Sequence, residues 1–151
     1  MKIDTLLIQS ELTHKIRKQV LWPHISNNDY TLAIDKDQNT FHVGAYYNKE
    51  LVSIGTFTKQ NNKLFKHKIQ YRLRAMATAL NYQKKGVGKY VFLKGLEILK
   101  EKGVELLWCD ARINAVPFYE SLKMNSLDKV YNIINIGPHK TMYLGILENI
   151  K

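Results

Sequence analysis

The sequence predicts an α+β fold in which helices cover a largely antiparallel sheet. Three observations carry that prediction. Apolar residues recur at helical spacing at Leu12, Ile16 and Val20, and again at Val87, Val91, Gly95 and Ile98. Short apolar or alternating runs elsewhere read as strands. The runs follow one another as β-α-β-β-β-α-β-α-β-β, a mixed order with a run of three consecutive strands.

Taken in order, "DTLLIQ" is a first strand, and "SELTHKIRKQVLW" is a helix with Ser10 as its N-cap. Pro23 closes that region, and "HISNNDY" reads as loop. "TFHVGAYYN" and "ELVSIGTFTK" form a hairpin around Asn48–Glu50, and "KQNNKLFKHK" is a basic connecting loop. "IQYRLRAMAT" alternates Ile69, Tyr71, Leu73 and Ala75 against Gln70, Arg72 and Arg74, as a strand with one wetter face does. In "VGKYVFLKGLEILKEKG", Phe92, Leu96 and Leu99 lie beside the Val87 stripe, and Gly103 is a C-cap behind Lys100 and Lys102. "VELLWC" is a buried strand. "NAVPFYESLKM" is a helix with Asn114 as a cap and Pro117 in its first turn. "KVYNIINI" and "HKTMYLGIL" close the sheet around Gly137–His139.

The 151 residues fit one domain, 1–151, with 45% hydrophobic and 24% charged residues. A single cysteine, Cys109, allows no intrachain disulfide and suits a reducing cytoplasm. The N-terminal apolar run is too short for a signal peptide, and no stretch approaches the roughly 20 apolar residues of a membrane span. A soluble, cytoplasmic protein is expected. The net charge of +10 is concentrated: Lys59 to Lys102 holds twelve basic and two acidic residues, and the remainder holds eleven of each. Such a field attracts an anion, either nucleic acid or a polyphosphate cofactor, unless it is an ordinary solvated face.

At the centre of that field stands "YQKKGVGKY". It follows a strand and opens a helix, where unpaired N–H groups and the helix dipole favour an anion. Gly86 and Gly88 let backbone amides approach phosphate oxygens closely. A P-loop is excluded by the glycine spacing, and a dinucleotide fingerprint by Val91 at its third glycine. The loop Gln83-Lys84-Lys85-Gly86-Val87-Gly88 resembles the acyl-CoA pyrophosphate loop of the GNAT superfamily of N-acetyltransferases. Downstream, "NAVPFYESLKM" resembles the superfamily's second signature, one helix and one strand further on. The resemblance covers about residues 40–145, and the N-terminal helix region more loosely. "LWPH", "WCDAR" and "IGPHKTMYL" resemble a bacterial branch that names no acceptor. One departure is visible: Lys123-Met124 stands where the family has Gly-Phe.

The resemblance implies a GNAT-like splayed sheet of about six to seven strands, mostly antiparallel, with about four helices. It implies acetyl-CoA as co-substrate, held in the gap between "RLRAMAT" and "ELLWC". Backbone groups of Ala75, Met76, Ala77 and Thr78 would pair with the pantetheine arm. Met76 also has the plainer role of a core residue. The amides of Gln83 to Gly88, Val87 included, would take the pyrophosphate, with Lys84, Lys85 and Lys89 assisting. Tyr119 matches the signature tyrosine that protonates or hydrogen-bonds the departing thiolate. Asn114 matches a residue that contacts the cofactor, beside its alternative as a helix cap.

A protonated amine must lose a proton before it attacks, and "RLRAMAT" offers no carboxylate for that task. Asp110 stands at the far end of the next strand. His42 in the hairpin and His139 in the closing loop are the candidate bases, each weighed against an ordinary core or surface histidine. Arg74 is a candidate for an acidic group on the acceptor, and Trp22 for its pocket. Cys109 reads as a core residue. The five histidines and one cysteine lack metal-ligand spacing. The expected function is acetyl transfer from acetyl-CoA to a small-molecule or peptide amine by direct attack in a ternary complex. The alternatives are an acyl-CoA-binding sensor without catalysis and, less favoured, a basic nucleic-acid-binding module. No membrane partner is expected. A homodimer is carried as an expectation because superfamily members often pair.

Overall fold

The computed structural model describes residues 1–146. The predicted element order is found. Seven strands, β1 Asp4–Ile8, β2 Thr40–Tyr47, β3 Glu50–Lys59, β4 Gln70–Thr78, β5 Leu106–Arg112, β6 Asn125–Ile133 and β7 Gly137–Gly145, follow the hydrogen-bonded order β1-β2-β3-β4-β5-β7-β6. The pairs β1–β2, β2–β3, β5–β7 and β6–β7 are antiparallel, and β4–β5 is parallel. Among the described residues there are three α-helices where about four were expected: α1 His14–Ile16, α2 Val87–Glu101 and α3 Val116–Ser121. The chain divides into two compact units, Met1–Lys59 with Leu73–Ile98, and Gln60–Arg72 with the chain from Leu99 on.

In the first unit the hairpin turn is tighter than the sequence indicated. Asn48 and Lys49 both have positive φ, 49° and 65°. That is the two-residue turn whose twist matches paired strands. The first helical region is not a regular α-helix. It runs through a 3₁₀ turn Ser10–Thr13, the single α turn α1 and a π turn Arg17–Leu21. Ser10 lies inside the 3₁₀ turn, so the expected N-cap is corrected: Gln9 holds that position without a side-chain bond. Ile16 packs with Ile54 and Ala77, flanked by Ile8, Val20, Leu21 and Leu51.

Strand β4 departs from simple alternation. Ala75 has φ +51°, a left-handed conformation disfavoured for a residue with a Cβ. The kink shifts the side-chain pattern, so that Leu73 and Met76 both approach Gly55 beside Val91 of α2. The apolar stripe of α2 is buried as predicted at Val87, Val91, Phe92 and Leu99. Gly95 belongs to it because a Cβ there would lie 2.1 Å from the Phe57 ring.

In the second unit Gly103, φ +74°, caps α2 as expected. The parallel ladder of β4 with β5 runs over Gln70–Arg72 and Leu106–Trp108. Helix α3 is shorter than its signature suggested. Asn114 sits in a preceding 3₁₀ turn, Ile113–Ala115, and Ala115 rather than Asn114 occupies the cap position. Lys123 adopts φ +74°, its N–H donates to the Glu120 carbonyl, and the Met124 N–H donates to the Tyr119 carbonyl. This is the left-handed helix ending that a glycine normally makes. The β6–β7 turn falls at 134–136, with Asn135 at φ +67°, and not at Gly137–His139, which lie within β7.

Candidate active site

The first unit carries the loop. Gln83 Nε2 donates to the Thr78 carbonyl at 3.0 Å, tying the loop back to the end of β4. Lys84 and Gly86 have φ of +62° and +77°, so the backbone is left-handed at two points before α2 starts at Val87. A Cβ on Gly86 would meet nothing within 4 Å, so conformation, not crowding, calls for glycine there. The first turn of α2 contains no acidic residue. Its leading N–H groups have no acceptor within the helix, and its dipole favours an anion. Lys84, Lys85 and Lys89 are exposed, and the Lys85 ammonium lies 5.8 Å from the centre of the Tyr82 ring. Ala77 is buried with Ile16 and Ile54, and its carbonyl accepts from Ser53 Oγ.

The acceptor candidates of this unit behave differently. His42 is buried. Its Nε2–H donates to the Asp35 carbonyl at 3.0 Å, and Nδ1 takes the Thr56 hydroxyl at 2.8 Å. A carbonyl cannot donate, so this assignment places the proton on Nε2 and the Nδ1 lone pair in the Thr56 bond. Burial lowers the imidazole's pKa, against a smaller raising effect from Asp35. No nitrogen of His42 remains to accept a substrate proton. Trp22 ends the π turn, with the Arg17 guanidinium 5.9 Å from its ring centre. Arg74 is half-buried on β4.

Beside His42 lies an ion pair that the sequence did not announce. Arg17 is fully buried and forms a two-pronged bridge to Asp35, at 2.7 and 2.8 Å. It also donates to the Tyr30 carbonyl and to Thr56 Oγ1. No local signal marks Arg17, because its partners lie 13 to 39 residues away.

The second unit carries Tyr119, Asn114 and His139. Tyr119 is buried on α3. Burial holds its phenol well above the ordinary 10, with a further push from Cys109. A phenol so placed stays protonated. Cys109 is itself buried, and its thiol is held far up by that burial, as a core thiol and not a nucleophile. Asn114 is exposed. His139 lies in β7, not in a closing loop. A second network was also missed: Arg72 Nη2 donates to Asp110 Oδ2 at 2.7 Å, the Tyr131 hydroxyl bonds Asp110 Oδ1, and Tyr131 meets Thr141 Oγ1 at 3.1 Å. Burial and the Asp110 bond push the Tyr131 phenol up to about 12.

Comparison with known proteins agrees with the fold. The model of the acetyltransferase (GNAT) family matches residues 9–124. A chain of Bacillus subtilis (strain 168), described as the uncharacterized N-acetyltransferase YitI, is 33% identical over 141 residues, covering 93% of this chain and 95% of that one. Two solved structures share the fold at lower identity. The ribosomal-protein-S18-alanine N-acetyltransferase from Escherichia coli has a TM-score of 0.71 at 18% identity, covering 96% of this chain and 94% of its own. An aminoglycoside 6'-N-acetyltransferase complexed with coenzyme A has a TM-score of 0.74 at 14% identity, with 97% of both chains covered. The chain belongs to the GNAT acetyltransferase family, as an acyltransferase whose co-substrate is acetyl-CoA.

Proposed function

We infer that the protein moves an acetyl group from acetyl-CoA to an amine by direct attack in a ternary complex, in the cytoplasm. The observation that carries this is the loop Gln83–Gly88. It is left-handed at Lys84 and Gly86, leaves open space in front of Gly86 and leads into the N-terminus of α2. In this proposal the loop amides hold the pyrophosphate and the neighbouring lysines add attraction. Backbone groups of Ala75 to Thr78 align the pantetheine arm, and Asn114 contacts the cofactor. Backbone N–H donation stabilises the oxyanion. Tyr119, kept neutral by burial, donates its O–H to the departing sulfur. Arg74 and Trp22 belong to the acceptor side. The two structural relatives named above act, by their names, on an aminoglycoside and on a protein alanine, so an amine acceptor fits this family's range.

A thermal-shift titration with acetyl-CoA, free CoA and a short DNA duplex tests this. A ligand at about 100 times its Kd stabilises by roughly 2.7 kcal/mol. Both CoA ligands should raise Tm and DNA should not. Gly86→Glu should abolish the CoA shift, and the left-handed backbone at that position should lower the unliganded Tm by only a few degrees. In a thiol-release assay Tyr119→Phe should slow turnover with its CoA shift intact. A full CoA shift in the Gly86→Glu protein would remove the pyrophosphate assignment.

A further inference from the structure

We propose that His139 is the proton acceptor for the attacking nucleophile, acting through Nε2. This rests on the acetyl-transfer function above and names the group that function lacks. The evidence comes from the second unit alone.

The His139 ring is fixed in orientation and in tautomer. Nδ1 lies 2.8 Å from the Gly137 carbonyl oxygen. That oxygen can only accept, so Nδ1 carries the proton and Nε2 carries the lone pair. The ring lies nearly parallel to Tyr131, with 6.2 Å between centres and 23° between planes. Tyr131 is in turn held by Asp110 and Thr141, and Asp110 by Arg72. Nε2 makes no hydrogen bond among the described residues. Nor is it among the buried nitrogens left without a partner among the described residues, such as His14 Nε2 and Arg72 Nε. It therefore keeps contact with solvent, although the residue as a whole is 4% exposed. His42, by contrast, has both nitrogens committed.

The placement also suits the chemistry. Residues opposite one another in an antiparallel pair share a face. Arg112 pairs with His139 and Asp110 with Thr141, whereas Cys109 pairs with Met142. Tyr131 of β6 pairs with His139, so His139, Tyr131 and Asp110 occupy one face of β5, β7 and β6. Tyr119 lies within electrostatic reach of Cys109, which adds to the burial that holds its phenol up. Acyl transfer needs an acid at the sulfur and a base at the incoming nitrogen, on different sides of the reacting carbonyl. In the step proposed, the neutral amine nitrogen bonds the thioester carbon and passes one proton to His139 Nε2. The C–S bond breaks, and the sulfur takes a proton from Tyr119. The imidazolium proton returns through water to the tyrosinate, leaving amide, free CoA thiol and both residues as they began.

The test uses the full chain, with acetyl-CoA and a mixture of amino-acid amides and spermidine as probe acceptors, following thiol release. His139→Asn keeps a donor near the Nδ1 position and deletes Nε2. Thiol release should fall by about 10²-fold or more. Its CoA thermal shift should persist, and added imidazole should restore part of the rate. Unchanged thiol release in a variant that binds CoA would overturn the proposal. So would a wild type that binds acetyl-CoA but releases thiol no faster than buffer, since a base with no proton to take has no role. Absence of any CoA shift in wild type would instead sink the underlying acetyl-transfer function, and this inference with it. Nitrogen NMR of the wild type gives a second readout independent of any variant's folding. It should show protonated Nδ1 and bare Nε2, and the opposite tautomer would also overturn the assignment.

Discussion

Arg17 shows how much a single residue can commit. It spends four hydrogen bonds on Asp35, Tyr30 and Thr56 at no exposure to water. Burial alone would raise the Asp35 carboxyl, but bonds from Arg17 and the Leu32 N–H, with the Arg17 charge, hold it below its ordinary value. Removing one partner of such a pair strands the other as a buried charge. Arg17→Met should therefore cost about 3–5 kcal/mol in urea unfolding. Ordinary stability is only about 5–15 kcal/mol, so the loss would be large. A change below about 1 kcal/mol would mean that the network contributes little. The sequence showed Arg17 only as one more basic residue in a helical run. What makes it structural is the return of Asp35 and Thr56 from distant segments.

Among the elements, the end of α3 is the most instructive. The sequence put a lysine where the family places glycine, and the backbone makes the left-handed turn regardless. Two bonds from Lys123 and Met124 to the last turn of the helix, with Met124 buried, hold it there. A side chain in that conformation costs roughly 1–2 kcal/mol, partly offset by the greater chain freedom of glycine when unfolded. Lys123→Gly should stabilise by roughly 0.5–1 kcal/mol, a rise in Tm of about 1–4 °C. A lower Tm would mean that the lysine side chain contributes more than its backbone strain removes. The stripe of α2 was legible because 3.6-residue periodicity is local. The closeness of Gly95 to Phe57 was not, because a 2.1 Å approach depends on how α2 lies on β3.

At the scale of the molecule, acid stability follows from the buried network. The folded pKa of His42 is depressed, chiefly by burial, below its ordinary 6.5. The unfolded chain then binds a proton that the folded chain refuses. Its contribution is fully present above about pH 6.5 and is lost as pH falls through the folded pKa. Asp35, also depressed, adds a second loss below its ordinary 3.8. Tm should thus be steady above pH 7 and decline from there toward pH 5. His42→Gln should be less stable at pH 7.5 yet decline less steeply over that interval. Parallel slopes for the two proteins would assign the acid sensitivity to another group.

By itself the sequence determined the order of strands and helices, the hairpin, the burial of the α2 stripe and the family. These rest on patterns spanning a few residues, or on two motifs at a set spacing along the chain. Tertiary structure decided which candidate side chains are free to act. It closed both nitrogens of His42 with Asp35 and Thr56, moved His139 from a loop into β7, took Asn114 out of the cap and kinked β4 at Ala75. It also assembled Asp110, Arg72 and Tyr131 into one network. The physical reason is register. A hydrogen-bond partner 14 or 38 residues away is chosen by strand pairing, and no local periodicity encodes that choice.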